Sequence, residues 1–179
     1  MQINTKFFGK LAVVAVTALA FNAAVLPAAQ AGNHAPLGYQ LLCLKHPNAS
    51  ECKGGGAAKV KVTGDVMATL KRVNAHVNRS IKPKYDASGA DVWNASASSG
   101  DCEDYVLAKR RALIKAGIPA GSLRIAYVKT RSGEGHAILV IKTGGKDLVL
   151  DNLTATIKPL SQTGYRIVSM SGANPRQWS

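Results

Sequence analysis

The 179-residue sequence predicts an α+β domain, because two helical patterns come first and strand patterns fill most of the remaining chain. The first helix starts at Asp65, a candidate N-cap, and ends before Pro83. Its apolar positions recur at helical spacing and are Val66, Leu70, Val73, Val77 and Ile81. The second helix is predicted over residues 102–116, where Gly117 provides the C-terminal cap and Pro119 follows it.

The strand candidates follow a predicted loop over residues 85–100 and the second helix. They cover residues 123–130, 136–142, 147–151 and 165–170. A two-residue turn at Gly144-Gly145 pairs Val140 with Val149, and it places His136 and Asp151 on one face as diagonal neighbours. Such neighbours are about 7–8 Å apart at the backbone, within reach of a bond between imidazole and carboxylate. A loop one residue longer or shorter would separate them onto opposite faces.

Residues 1–31 have the pattern of an export signal, so they are excluded from the folded domain. Lys6 and Lys10 form a positive start, an apolar run follows, and Ala29-Gln30-Ala31 offers small residues at both cleavage positions. A membrane anchor is the alternative, but the apolar run is shorter than the ~20 residues that span a bilayer. We expect cleavage after Ala31, one domain over residues 32–179, and a periplasmic or secreted protein.

The chain is strongly basic, with a formal net charge of +13, which loss of the two signal lysines lowers by two. Nucleic-acid binding is one interpretation of this charge, and a solvated basic surface is the other. The second is favoured, because an exported chain with no recognisable nucleic-acid-binding motif has little reason to bind nucleic acid. We therefore predict no nucleic-acid partner, no membrane span after signal cleavage, and a monomer.

Export also affects how the three cysteines are interpreted. Cys43 and Cys52 lie close together in a polar segment, and in an oxidising compartment a disulfide between them is the favoured interpretation. A metal site that includes His34 and His46 is the alternative, although the ligand spacing does not match a usual zinc pattern. If the disulfide forms, Cys102 remains as an unpaired thiol.

Cys102 stands where a glycine-marked loop gives way to the second helix, with His136 and Asp151 further along the chain. This is the layout of a cysteine nucleophile, its base and the group that orients the base. Taken singly, His136 could merely begin a strand and Asp151 could cap a turn, but the joint arrangement favours catalysis. The Cys102 backbone N–H is a natural oxyanion donor, and Trp93 or Asn94 are candidates for the second donor.

A longer set of motifs resembles the bacterial transglutaminase-like cysteine peptidases. The matching residues are Gly100-Asp101-Cys102-Glu103-Asp104-Tyr105, Lys109, Ala112, Leu113, Gly117-Ile118-Pro119, Leu123-Arg124, Gly135-His136 and Leu148-Val149-Leu150-Asp151-Asn152-Leu153. Upstream, the matches include Asn74, Asn78, Asp91 and Trp93, and the likeness covers nearly the whole mature chain. The resemblance implies a papain-like, transglutaminase-like fold in which a nucleophile helix packs on an antiparallel sheet.

The same resemblance implies Cys102 as nucleophile, His136 as general base and then acid, and Asp151 as the group that fixes the imidazole. The family includes LapG-type periplasmic proteases, which cut surface adhesins and release cells from biofilms. It therefore suggests a protein substrate in the cell envelope and regulation by an inner-membrane receptor. Acyl transfer to an amine, the transglutaminase reaction, and a non-catalytic envelope-binding module are the alternatives to peptide hydrolysis.

LapG-type proteases also bind calcium through acidic residues beside the nucleophile, and Asp101, Glu103 and Asp104 match that half of the site. Calcium takes 6 to 8 oxygen ligands, whereas the residues that flank the histidine, Gly135 and Ala137, offer no side-chain oxygen. The alternative is that the acidic residues simply favour the first turn of a helix. The chemistry itself requires no cofactor, and calcium remains an open prediction.

Overall fold

A computed structural model describes residues 34–87 and 90–179 of the chain. The predicted export signal, residues 1–31, lies outside the described residues. In the described ranges, no helix is both long and apolar enough to cross a membrane. The helices are α1 (Leu37–Lys45), α2 (Gly64–Ser80) and α3 (Cys102–Lys115). The strands are β1 (Lys82–Pro83), β2 (Ser99–Gly100), β3 (Leu123–Lys129), β4 (Gly135–Ile141), β5 (Leu148–Leu150), β6 (Lys158–Pro159) and β7 (Arg166–Met170).

Helices α2 and α3 confirm the two helical predictions, with one correction at the start of α2. Thr63, not Asp65, is the N-cap: its hydroxyl accepts a hydrogen bond from the Val66 N–H at 3.3 Å. Asp65 lies instead in the first turn, where a carboxylate favours the positive end of the helix. Helix α1 was not predicted, because its sequence carries no amphipathic pattern to reveal it.

Five strands form an antiparallel sheet in the order β6-β5-β4-β3-β7. The predicted hairpin register is confirmed, since β4 and β5 pair Val140 with Val149. Strand β6 is an addition to the predicted set, and its two residues include a proline, which suits a sheet edge. The helices followed by an antiparallel sheet confirm the α+β class.

Helix α3 packs against β4 and α2, and it contributes Val106, Leu107 and Leu113 to the main core. Arg110 is fully buried on the same helix. Its guanidinium donates to four backbone carbonyls, those of Glu51, Lys53, Ala120 and Leu123. These acceptors lie in residues 51–53 and 120–123, so this side chain holds both segments against the helix that carries Cys102.

Two further features hold the segments around the sheet. Cys43 and Cys52 are joined by the predicted disulfide, with Cα atoms 5.5 Å apart. Asn74 and Asn78 lie one turn apart on α2, and their side-chain amides donate to the carbonyls of Ala155 and Asp151 at 3.1 and 2.9 Å. These bonds tie the chain that follows β5 to a helix, so the backbone of Asp151 has a fixed position.

Candidate active site

Cys102 is the first residue of α3 and is partly buried. The N-cap residue Asp101 makes no side-chain hydrogen bond to the helix, and the first N–H groups of a helix have no intrahelical acceptor. The backbone N–H of Cys102 is therefore oriented by the helix and available to a ligand. This is the geometry that an oxyanion donor requires.

His136 and Asp151 come together at one end of the sheet. His136 lies in β4 and Asp151 directly follows β5, and the imidazole Nε2 is 2.8 Å from the Asp151 Oδ1. Both side chains are buried. Because an ionised carboxylate can only accept, Nε2 carries the hydrogen of this bond and Nδ1 retains its lone pair. The nitrogen that a thiol could protonate is thus Nδ1.

The thiol and the imidazole line one cavity of about 400 Å³. Its wall includes Trp93, Tyr127, Ala137 and Ser169, together with His34 and Pro36 from the start of the described chain. A larger cavity of about 750 Å³ lies beside α1; Cys102 and His136 do not line it, but it shares Asp91 and Trp93 with the first. We assign the chemistry to the smaller cavity, because it contains the reactive side chains.

In each of the two candidates for a second oxyanion donor, one donor group is already engaged. The Trp93 indole N–H donates to Asp91 Oδ1 at 2.7 Å, and the backbone N–H of Asn94 donates to Asp104 Oδ1 at 2.7 Å. Asp91 also accepts from the N–H of Gly38 through its other oxygen, at 2.8 Å. Asp91 therefore joins α1 to Trp93 and fixes one wall of the cavity.

An acidic cluster lies beside Cys102. Ligand oxygens of Asp86, Asp101 and Glu103 all lie within 4.8 Å of one another. Asp104 is not part of this group, because its carboxylate accepts a hydrogen bond from the Asn94 N–H. The carboxylate also lies so close to Gly100 that a Cβ atom added to this glycine would be 1.8 Å from Asp104 Oδ2. The structure brings together two of the three predicted calcium residues and adds Asp86, which the sequence indicated only as part of a loop.

The cluster opposes ionisation of the Cys102 thiol. The thiol donates to Glu103 Oε2 at 3.3 Å. Burial, followed by the nearby Glu103 carboxylate, raises the pKa of Cys102 to about 12, while the Ala137 N–H acts in the opposite direction. Burial and a hydrogen bond with Asp101 raise the pKa of Glu103 to about 8. In this arrangement the sulfur is protonated at neutral pH.

The surroundings of Asp151 favour its ionised form, in contrast to those of Cys102. Burial alone would raise the pKa of Asp151, yet hydrogen bonds from His136, Tyr165 and the Leu153 N–H hold that pKa below its usual value. The carboxylate is therefore ionised at neutral pH. Tyr165 was predicted only as the start of a strand, and nothing in the sequence distinguished it from other tyrosines.

Lys109, which the sequence analysis named only among the residues of the family pattern, is a second residue near Asp151. It is fully buried, and its Nζ has no hydrogen-bond partner among the described residues. Burial lowers the pKa of Lys109 to about 7, although the Asp151 charge favours the protonated form. Its helical spacing from Val106 and Leu113 places it on the buried face of α3, and this spacing is the signal that could have revealed it.

The structure has the arrangement of a papain-like thiol hydrolase. A helix begins at a free cysteine and packs on an antiparallel sheet, and the sheet presents a histidine and an aspartate. The model of the family described as bacterial transglutaminase-like cysteine proteinase BTLCP matches residues 29–179. The chain belongs to this family, and its enzyme class is cysteine peptidase.

Solved structures of LapG from Legionella pneumophila are similar to this chain. The calcium-bound form has a TM-score of 0.55 and 27% identity over 65% of this chain and 68% of the LapG chain. The EGTA-treated form has a TM-score of 0.52 and 25% identity, with 63% of this chain aligned. The alignment covers 65% of the EGTA-treated LapG chain, slightly less than two thirds of its length. A comparison with curated proteins found no significant match.

Proposed function

We propose that the chain is an exported endopeptidase that uses Cys102, His136 and Asp151 to cleave a protein of the cell envelope. One observation carries this proposal: His136 is bonded to the buried Asp151 at 2.8 Å and lines the same cavity as Cys102. Binding alone would not require a free thiol, an imidazole and a carboxylate at one end of a sheet. Catalysis requires all three.

In the first step, the Cys102 sulfur transfers its proton to His136 Nδ1 and attacks the peptide carbonyl carbon. The carbonyl electrons move to oxygen, and the Cys102 N–H at the start of α3 stabilises the oxyanion that forms. The carbon–nitrogen bond then breaks as the imidazolium gives its proton to the leaving amine. Asp151 keeps the ring oriented and stabilises its positive charge throughout.

In the second step, a water molecule resolves the thioester. His136 removes a proton from the water as it attacks, and the carbon–sulfur bond breaks when the tetrahedral intermediate collapses. The proton returns to sulfur and the acid product leaves, so the enzyme is restored. An amine could take the place of this water, and the transglutaminase reaction differs only in that choice.

The family resemblance supports the biological setting. LapG similarity favours a surface adhesin as the substrate and an inner-membrane receptor as the regulator, and both belong to this proposal. The pattern of residues 1–31 favours an exported protein. The aligned part is about two thirds of the LapG chains, so the substrate is proposed from the shared site and not from the whole relative.

Calcium is the metal that the comparison suggests, because one of the similar structures is calcium-bound LapG. The acidic cluster fits such an ion: three carboxylates converge, and the buried Asp101 Oδ1 has no hydrogen-bond partner among residues 34–87 and 90–179. Asp86, Asp101 and Glu103 would hold it, with water or further oxygens completing the 6 to 8 ligands. The ion would supply positive charge to offset three crowded carboxylates beside the nucleophile.

The proposal is tested by incubating purified mature protein with candidate envelope proteins, with and without a labelled primary amine. Fragments that form without the amine are expected, because water is the proposed acceptor. Cys102→Ala is the matched control and should form no fragments while its thermal unfolding stays that of the parent, since a partly buried sulfur is replaced by a smaller group. Amine incorporation without fragments would instead identify a transferase, and cleavage by Cys102→Ala would remove the nucleophile assignment.

A further inference from the structure

The side chain of Tyr165 contacts both His136 and Asp151. Its hydroxyl donates to Asp151 Oδ2 at 2.5 Å. Its ring meets the His136 ring edge-on, with centroids 5.7 Å apart and an interplanar angle of 71°. One side chain therefore contacts both the imidazole and the carboxylate that orients it.

Both oxygens of Asp151 are engaged by donors. Oδ1 receives the His136 ring at 2.8 Å and the Leu153 N–H at 3.0 Å, and Oδ2 receives Tyr165. The backbone N–H of Leu153 is close in sequence and holds only one oxygen. Without the tyrosine hydroxyl, Oδ2 would have no donor in the part of the chain that the structure describes, and the carboxylate could rotate about its last bond.

The backbone around Tyr165 supports a fixed side chain. Tyr165 follows Gly164, whose positive φ of 75° favours glycine, and its N–H donates to Thr163 Oγ1 at 3.2 Å. The residue immediately precedes β7, an edge strand of the sheet, and β7 pairs with β3 so that Ile167 lies opposite Val128. Val128 in turn pairs with His136 in β4. The sheet register thus brings Tyr165 to the end of the strand that carries the histidine.

We infer that Tyr165 is a positioning residue for the peptidase reaction: its hydroxyl fixes Asp151 so that Oδ1 faces His136 Nε2, and its ring limits rotation of the imidazole. This inference rests on the proposed function, because it assigns Tyr165 a task only if His136 and Asp151 act in catalysis. A charge-assisted hydrogen bond to a carboxylate is stronger than a neutral one, so loss of the hydroxyl should matter to the ring orientation.

The test replaces Tyr165 by phenylalanine, which keeps the ring and removes only the hydroxyl. Two readouts need no physiological substrate: the rate at which iodoacetamide alkylates Cys102, the one cysteine outside the disulfide, and the proton resonance of the His136 Nε2–H. We expect alkylation at pH 7 to slow by about threefold or more, and the resonance to shift, since the acceptor carboxylate changes its orientation.

Tyr39→Phe is the matched control, because the Tyr39 hydroxyl is buried and donates to the Glu51 carbonyl at 2.8 Å, a bond with a structural role. It should lower the thermal unfolding midpoint and leave both readouts unchanged. If Tyr165→Phe behaves in the same way, Tyr165 is merely structural and the inference is wrong. Asp151→Asn separates the two proposals: if it too leaves both readouts at their parent values, the proposed triad itself fails.

Discussion

The two halves of the candidate site differ in how their charged groups are partnered. Around Cys102, Asp86, Asp101 and Glu103 converge without an opposing charge from the described residues, and one of their buried oxygens has no donor. Around His136, Asp151 is also buried, but three donors engage its two oxygens. The same residue type thus has a raised pKa near the nucleophile, as at Asp104, and a lowered pKa beside the base.

This difference indicates that the His136–Asp151 pair is complete in the structure, whereas the surroundings of Cys102 lack a group that would favour its thiolate. The His136–Asp151 pair has its hydrogen bonds in place and requires no further group. The Cys102 thiol instead faces carboxylates that disfavour its thiolate, and a cation would relieve that opposition. Regulation would therefore act on the surroundings of Cys102. Mutations of His136 or Asp151 would instead break hydrogen bonds that are already formed.

The largest effect is expected from Asp151→Asn, which keeps the size of the side chain and removes its charge. The amide can present its N–H₂ to the imidazole, so the wrong ring nitrogen would carry the hydrogen. In the serine triad the analogous change lowers turnover by about 10⁴-fold, and we expect a loss on the order of 10²-fold or more here. Cleavage kinetics should show the loss mainly in kcat. A kcat equal to that of the parent would mean that the His136–Asp151 pair is not catalytic.

A smaller effect is expected from calcium, which would bind the acidic cluster of Asp86, Asp101 and Glu103. Calcium at about 100 times its Kd should raise the thermal unfolding midpoint by roughly 5–10 °C, because a ligand that binds only the folded state stabilises it. EGTA should reverse the shift. The measurement is a thermal unfolding scan, which does not depend on activity.

The cluster variant Asp86→Asn sharpens this prediction. It should reduce the calcium shift while preserving the bond from the Val92 N–H to this side chain, since an amide oxygen also accepts. Asp65→Asn, an exposed carboxylate in the first turn of α2, is the matched control and should keep the full shift. Equal shifts in both variants would place the ion elsewhere.

A separate effect, on stability alone, concerns Lys109, a buried amine near Asp151. Its pKa in the folded protein is about 7 and its ordinary value is 10.5. Between these pH values the unfolded chain binds more protons than the folded protein, so the free energy of unfolding rises with pH. The cost of burying Lys109 is therefore largest below about pH 7, and it disappears as the pH rises towards 10.5. Lys109→Met should therefore stabilise the fold most below about pH 7, by on the order of a few kcal/mol.

Denaturant unfolding of the parent and Lys109→Met at several pH values measures this difference. Taking the difference between the two proteins removes contributions from the other titrating groups, which both share. A gap that narrows from pH 7 to pH 10 would agree with the burial of an unpartnered ammonium. A constant gap would show that Lys109 holds the same charge in both states.

The parts of this molecule with a strong local pattern were predictable. The α2 and α3 patterns indicated two helices, and the glycine pair set the hairpin register that brings His136 and Asp151 to one face. The cysteine spacing and the signal pattern together favoured the disulfide that the structure contains. In each case the information lies within a few residues, so neighbouring positions alone were sufficient.

The remaining features depend on contacts between distant segments. Asp86 lies near Asp101 only because its loop folds back on the start of α3, and Tyr165 reaches Asp151 only through the pairing of β7 with β3. Helix α1 has no amphipathic pattern, and the disulfide and the Gly38–Asp91 bond hold it in place. No local rule could predict these contacts, since their partners are far apart along the chain.

The sequence by itself determined the class of fold, the candidate catalytic side chains and the register that brings His136 and Asp151 to one face. Tertiary structure alone decided the electrostatics, because a pKa depends on burial and on which charges converge in space. It therefore decided that the thiol faces an acidic cluster and that Asp151 is fully paired. The reason is physical: chain order sets local hydrogen bonds, whereas solvent exclusion and charge proximity arise only when separate segments pack together.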